Sequence, residues 1–189
     1  MIKNYKIVLL FIFLFTVNTT HLLCIPAEVE PINNRYYLPR IMELISNAKT
    51  SIKIVMYNIA WYGKYPDSSS NRIINKLCEA AKRKVNVTVI LNQDKFDNNR
   101  ITNDSKEAGE ILKKSGVNVL YDPIDQTTHA KLMIVDDRYV VIGSFNWSYY
   151  SIEKNNEVAV VIDSKEIAQQ YLKYFASIAV RSSPEPAFP

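Results

Sequence analysis

Histidine and cysteine are scarce in this chain, with two of each in 189 residues. His21 and Cys24 fall in the first 27 residues, so the body of the sequence holds only His129 and Cys78. One imidazole and one thiol cannot build a zinc cluster, and no paired-carboxylate motif takes its place. No metal site and no cofactor is therefore expected. Cys78 sits on an apolar helix face and reads as a small hydrophobe, so no disulfide within the chain is expected. Charge of one sign is also in short supply. There are 23 Lys+Arg against 19 Asp+Glu, a net charge of +4, and Lys3 and Lys6 at the N-terminus supply half of that excess. Charge alone gives little support for a polyanionic partner. No internal repeat is present, and no apolar run is long. The longest, Ile7–Phe15, falls short of the roughly 20 residues that a membrane span needs.

What is present begins with that run. No acid precedes Glu28, and a short basic segment followed by a short apolar one has the form of a secretory signal. Residues 1–27 are expected to be a signal peptide, with a retained membrane anchor as the alternative. The corresponding location is secreted or periplasmic. Residues 28–180 are expected to form a single domain, and 181–189, with three prolines, a flexible tail.

Within the domain, apolar residues recur at helical spacing in three places. They are Leu38 to Ala48, Ile73 to Ala81, and Ile167 to Ile178. Ser70 is expected to cap the second of these helices. Asp104 with Glu107 is expected to start a further helix that Gly116 ends. Strands are expected at Ser51–Ala60, Val85–Leu91, Val117–Tyr121, Thr128–Asp136, Tyr139–Gly143 and Glu157–Asp163. Strands alternating with helices imply an α/β sandwich, with helices flanking both faces of the sheet. The hairpin formed by the Thr128–Asp136 and Tyr139–Gly143 strands makes that sheet mixed.

Side chains alternate along a strand, so His129, Lys131, Met133 and Val135 share one face. A two-residue turn at Asp137-Arg138 would pair Asp136 with Tyr139. It would set Lys131 opposite Ser144 and His129 opposite Asn146, on one surface. Ser144 and Asn146 would then open a short helix whose free N–H groups favour an anion. Each residue alone is an ordinary strand, turn or cap residue. Their conjunction gathers a nucleophile, a cation and two polar donors.

His129-Ala-Lys131 with Asp136 resembles the HxKxxxxD motif of the phospholipase D superfamily. Gly143-Ser144-Phe145-Asn146 resembles its GSxN element, and Asn155-Asn156-Glu157 its downstream NxE element. The resemblance spans roughly Leu38–Ala176 and is nearest to small secreted bacterial endonucleases with one motif per chain. It implies a phospholipase D-like fold and a metal-independent phosphodiester hydrolase. In that scheme His129 attacks phosphorus to form a phosphohistidine, while Lys131, Ser144 and Asn146 hold the non-bridging oxygens. Glu157 orients His129. Asp136 belongs to the motif but falls on the other strand face, which gives it a structural role. A second histidine must protonate the leaving oxygen, so one site is shared across a homodimer. The substrate implied is nucleic acid, DNA or RNA, with phospholipid headgroup hydrolysis as the alternative. A catalytically inactive binding module is the reading of a different class. Around the site, the loop from Trp61 to Tyr65 is a candidate lining. Lys82–Lys84 and Lys113–Lys114 are candidate basic clusters.

Overall fold

The computed structural model describes residues 24–95 and 100–187. The expected leader therefore lies outside the described residues except for 24–27. Among the described residues, no helix is long and apolar enough to cross a membrane.

Seven strands form one mixed sheet in the order β1-β7-β6-β5-β2-β3-β4. They are β1 (Glu28–Pro31), β2 (Ser51–Met56), β3 (Asn86–Leu91), β4 (Asn118–Tyr121), β5 (Lys131–Val135), β6 (Tyr139–Gly143) and β7 (Ala159–Asp163). β2, β3 and β4 run parallel, and every other pairing is antiparallel. The helices are α1 (Tyr37–Asn47), α2 (Ser69–Lys82), α3 (Arg100–Lys114), α4 (Tyr149–Glu153) and α5 (Lys165–Ala179).

Alternation along the central strands divides the core in two. Ile52, Ile54 and Met56 of β2, with Met133 and Val135 of β5, join the cluster that packs against α1, α2 and α3. Val55, Leu132, Ile134 and Val140 face the other way, onto Ala168, Phe175 and Ile178 of α5. The expected sandwich, with helices on both faces, is the observed architecture.

Several expected boundaries shift. β1 is not among the expected strands: all four of its residues are exposed, so no buried apolar alternation marks it. α3 already runs from Arg100, which puts Asp104 inside the helix rather than at its start. Ser68, not Ser70, caps α2 by accepting the Asn71 N–H. Ser70 is buried and its hydroxyl donates to the carbonyls of Ala60 and Trp147 at 2.6 and 2.8 Å. Gly116 ends α3 as expected, at φ +86°, with Val117 N–H donating back to the Leu112 carbonyl. Cys78 is buried and unpaired. The expected loose tail is tied back over its described part. Ser183 and Tyr121 exchange two backbone hydrogen bonds, and Ala187 N–H donates to Gln93 Oε1 at 2.8 Å.

Candidate active site

The β5–β6 hairpin has a three-residue loop. Val135 pairs with Tyr139 and Leu132 with Ile142, one step off the register expected from a two-residue turn. Asp136 and Asp137 both take positive φ, +52° and +53°, a conformation Asp tolerates better than most residues. The ladder's last pair is Leu132–Ile142, and one step further this register sets Lys131 level with Gly143, not Ser144. His129 lies beyond the ordered ladder of β5, although Tyr57 N–H still donates to the Ala130 carbonyl at 3.1 Å.

The polar residues are gathered by a different device. After Gly143 the chain alternates between core and surface. Phe145 and Trp147 are buried. Phe145 stacks on Tyr37 with ring centroids 3.9 Å apart, and the Trp147 indole donates to the Tyr37 hydroxyl at 2.9 Å. Burial pushes that Tyr37 phenol well above its ordinary pKa. With these two aromatics anchored in the core, Ser144 just before them is exposed, and Asn146 between them is half-buried. Gly143 is required for this path, because a Cβ there would collide with the Val158 carbonyl oxygen and with Ala159. The short helix α4 starts later than expected, at Tyr149 after Ser148.

Glu157 is the hub of the polar cluster. Its carboxylate accepts hydrogen bonds from the Ser144 hydroxyl, from the Ser151 hydroxyl at 2.9 Å and from Asn155 Nδ2 at 3.1 Å. Ser151 in turn accepts the Asn146 N–H at 3.0 Å. Burial alone would raise the Glu157 pKa, but these bonds and the charge of Lys131 outweigh it, so the carboxyl lies below its usual range. Glu157 makes no hydrogen bond to His129 in this structure. β6 stands between β7 and β5, and two strand spacings amount to about 10 Å. The expected contact between Glu157 and His129 is thus replaced by contacts with Ser144, Ser151 and Asn155. Asn146 Oδ1 is buried and has no hydrogen-bond partner.

His129 is exposed. The Lys131 ammonium lies 3.1 Å from each of its ring nitrogens and 2.8 Å from its carbonyl oxygen. Tyr57 supports both groups, with its ring 4.4 Å from the imidazole and 4.9 Å from the ammonium. Burial, then the Lys131 charge, lowers the His129 pKa, which favours the neutral ring near pH 7. Burial also lowers the Lys131 pKa, with Glu157 opposing.

Three residues that belong to no motif, Tyr57, Asn92 and Asp122, hold the segment around His129 in place. Thr128 N–H donates to Asn92 Oδ1 at 2.9 Å and to Asp122 Oδ2 at 3.2 Å, while Tyr57 grips Ala130 on the other side. Asn92 and Asp122 lie just past the ends of β3 and β4 and are buried. The only sequence signal for them is a polar residue immediately after a buried strand.

Asp136 serves the fold. It accepts the N–H groups of Lys49, Thr50 and Ser51 and the Thr50 hydroxyl, all at 2.8–3.1 Å. Burial would raise its pKa, but those bonds dominate and lower it. The Lys82–Lys84 cluster leads into the start of β3, whereas Lys131 pairs with Met56 at the opposite end of the strands. That cluster therefore does not line the site. The Lys113 ammonium is held beside Glu110 and Glu185 and over Tyr121. Among the described residues, no three His, Cys, Asp or Glu side chains are grouped so that they could hold a metal ion.

The family description "Cardiolipin synthase, PLD-like domain" matches residues 41–179. Phospholipase D of Rickettsia bellii is 27% identical over 142 residues, covering 75% of this chain and 63% of that protein. Human mitochondrial cardiolipin hydrolase is 31% identical over 74 residues, 39% of this chain and 29% of that protein. The chain thus spans less than two thirds of the length of either relative. Among solved structures, Nuc of Salmonella typhimurium, titled a phospholipase D family member, superposes with TM-score 0.70 at 24% identity, covering 84% of this chain and 97% of that one. NucT of Helicobacter pylori superposes with TM-score 0.65 at 20% identity, covering 83% and 98%. Fold, motif geometry and the match over residues 41–179 agree: the chain belongs to the phospholipase D-like family.

Proposed function

We propose that this protein is a metal-independent phosphodiesterase that hydrolyses nucleic acid through a phosphohistidine on His129. The observation that carries the reading is the pair His129 and Lys131, with the ammonium 3.1 Å from the ring nitrogens on an open surface. A lowered His129 pKa keeps a lone pair available. In the first step that lone pair forms a P–N bond, and the P–O bond to the leaving group breaks. A protonated imidazole delivers its proton to the departing oxygen. In the second step the same imidazole, now neutral, takes a proton from water as the water oxygen attacks phosphorus and the P–N bond breaks. Lys131 faces the charge that builds on the non-bridging oxygens, together with the Ser144 hydroxyl and the Asn146 side chain.

The scheme needs two histidines, and His129 is the only one among the described residues. The second comes from a second copy of the chain, so the working unit is a homodimer with one composite site. The exposure of His129, Gly143 and Ser144 in the single chain supports this. A polymeric substrate suits so open a site. The phospholipid reading draws on the names of the relatives, phospholipase D and cardiolipin hydrolase.

The deciding assay offers plasmid DNA, RNA and phosphatidylcholine vesicles to the purified protein across a range of salt, with and without EDTA. Cleavage of DNA or RNA that survives EDTA and falls steeply with salt supports the proposal, since each neutralised phosphate releases counterions. Headgroup release with no nucleic-acid cleavage at low salt hands the site to phospholipids.

A further inference from the structure

Two chain segments leave the active site side by side. One runs from Tyr57 to Tyr62 and the other from Ser144 to Tyr149. They are joined by a parallel bridge between Ile59 and Trp147, with Trp147 N–H donating to the Asn58 carbonyl and Ala60 N–H to the Trp147 carbonyl. Beyond the bridge they part around a cleft of about 810 Å³. Its walls carry Tyr62, Tyr65, Tyr149 and Tyr150, with Lys64 and Lys154 among them. The walls are tied together: the Tyr62 hydroxyl accepts the Tyr149 N–H at 3.0 Å, and the Ser69 hydroxyl bonds the Glu153 carboxylate. An extended chain spans at most ~3.6 Å per residue, so the Tyr149 Cα lies within about 11 Å of the Asn146 Cα.

We infer that this cleft seats a nucleobase of the substrate strand next to the scissile phosphate; the inference rests on the nucleic-acid reading above. Tyr65 and Tyr150 are each 68% exposed, so their rings serve no core and stand free to stack. Tyr149 and Tyr150 already meet edge to face, with centroids 5.5 Å apart, which fixes the orientation of the wall. The charges along the cleft balance, Lys64 and Lys154 against Asp67 and Glu153. A neutral aromatic group fits such a lining better than a phosphate does. A quaternary ammonium headgroup fits it less well, because Lys154 already places its ammonium over the Tyr149 ring at 5.7 Å. Stacking on tyrosine is sequence-tolerant, since every base presents a π-face. The enzyme would therefore hold the strand beside the cut without reading its sequence.

The test uses binding, separated from turnover. A fluorescently labelled single-stranded oligodeoxynucleotide is titrated by anisotropy against His129→Ala protein, and then against the same protein carrying Tyr65→Ala or Tyr150→Ala. The expected result is a rise in Kd of about tenfold in each alanine variant, largely restored by Tyr65→Phe and Tyr150→Phe, which keep the ring. An unchanged Kd overturns the inference. It is overturned equally if the alanine variants lose binding to phosphatidylcholine vesicles instead, which makes the cleft a lipid contact. Dissociation of the dimer in light scattering overturns it too, because the tyrosines then belong to the contact between copies. Tyrosine-dependent binding without cleavage by the wild-type protein would leave the subsite standing and remove the nuclease reading. Cleavage with tyrosine-independent binding does the reverse.

Discussion

The buried carboxylate of Asp122 accepts the backbone N–H of Thr128, the residue immediately before His129. Its other oxygen accepts the Gln93 N–H at 2.9 Å. The carboxyl sits buried just past the end of β4; one oxygen holds the segment that leads into the proposed nucleophile, and the other ties it to the chain just past β3. Burial raises the Asp122 pKa, against the hydrogen bonds of Thr128 and Gln93.

Asp122→Asn tests this positioning role. The amide turns one acceptor into a donor, which faces either the Thr128 or the Gln93 N–H and loses that bond. The expected outcome is a fall in kcat of about 10- to 100-fold from misplacing His129, with KM nearly unchanged. A loss confined to thermal stability, with kcat intact, would make Asp122 merely structural.

Asp136 belongs to the family motif, yet it anchors the Lys49–Ser51 turn against the hairpin. Asp136→Ala is expected to lower stability by about 2 kcal/mol through lost charge-assisted hydrogen bonds, and to leave kcat of the folded protein close to normal. Its folded pKa is depressed. The stabilisation is therefore present above the unfolded value, near ~4, and disappears as pH falls through the lower folded value. Thermal melts of wild type and variant should converge in that acid window and diverge above it.

The lowered His129 pKa sets a pH signature. The neutral imidazole persists below the ordinary histidine value of about 6.5, so the acid limb of kcat/KM should lie below that pH. Burial is the larger cause and the Lys131 charge the second. Lys131→Met should move the limb upward, toward the ordinary value, besides cutting kcat by about 100-fold or more. A limb that stays in place in Lys131→Met would remove His129 as the titrating group.

The central framework of this protein is legible in its sequence because alternation in β2 and β5 and helical spacing in α1, α2 and α5 are strong and local. The hairpin register is not legible, because Asp136-Asp137-Arg138 serves a two- or a three-residue loop equally well on paper. Only the positive φ of both aspartates decides it. The convergence of Ser144 and Asn146 was expected from that register. It arises instead from Phe145 and Trp147 burying themselves on either side of Asn146, a packing fact that needs Tyr37 from 108 residues earlier in the chain than Phe145. Asn92 and Asp122 escape for the same reason: they reach Thr128 only after β3, β4 and β5 are assembled. β1 escapes because an exposed edge strand buries nothing.

The proposed shared site has a stoichiometric consequence. Wild-type chains co-expressed with equal His129→Ala chains assemble at random, and only pairs with two intact histidines turn over. Activity should fall to about one quarter of that of the same amount of all-wild-type dimer, against about one half if each chain works alone.

The most direct measurement is chemical trapping of the intermediate. Protein mixed with a phosphodiester substrate and denatured within the turnover time should carry a phosphoryl adduct that is stable in alkali and lost in acid. Peptide mass spectrometry should place the adduct on His129, and the His129→Ala protein should fold normally, carry no adduct and cleave nothing. Steady cleavage by folded His129→Ala protein, or an adduct mapped to any other residue, would contradict the account.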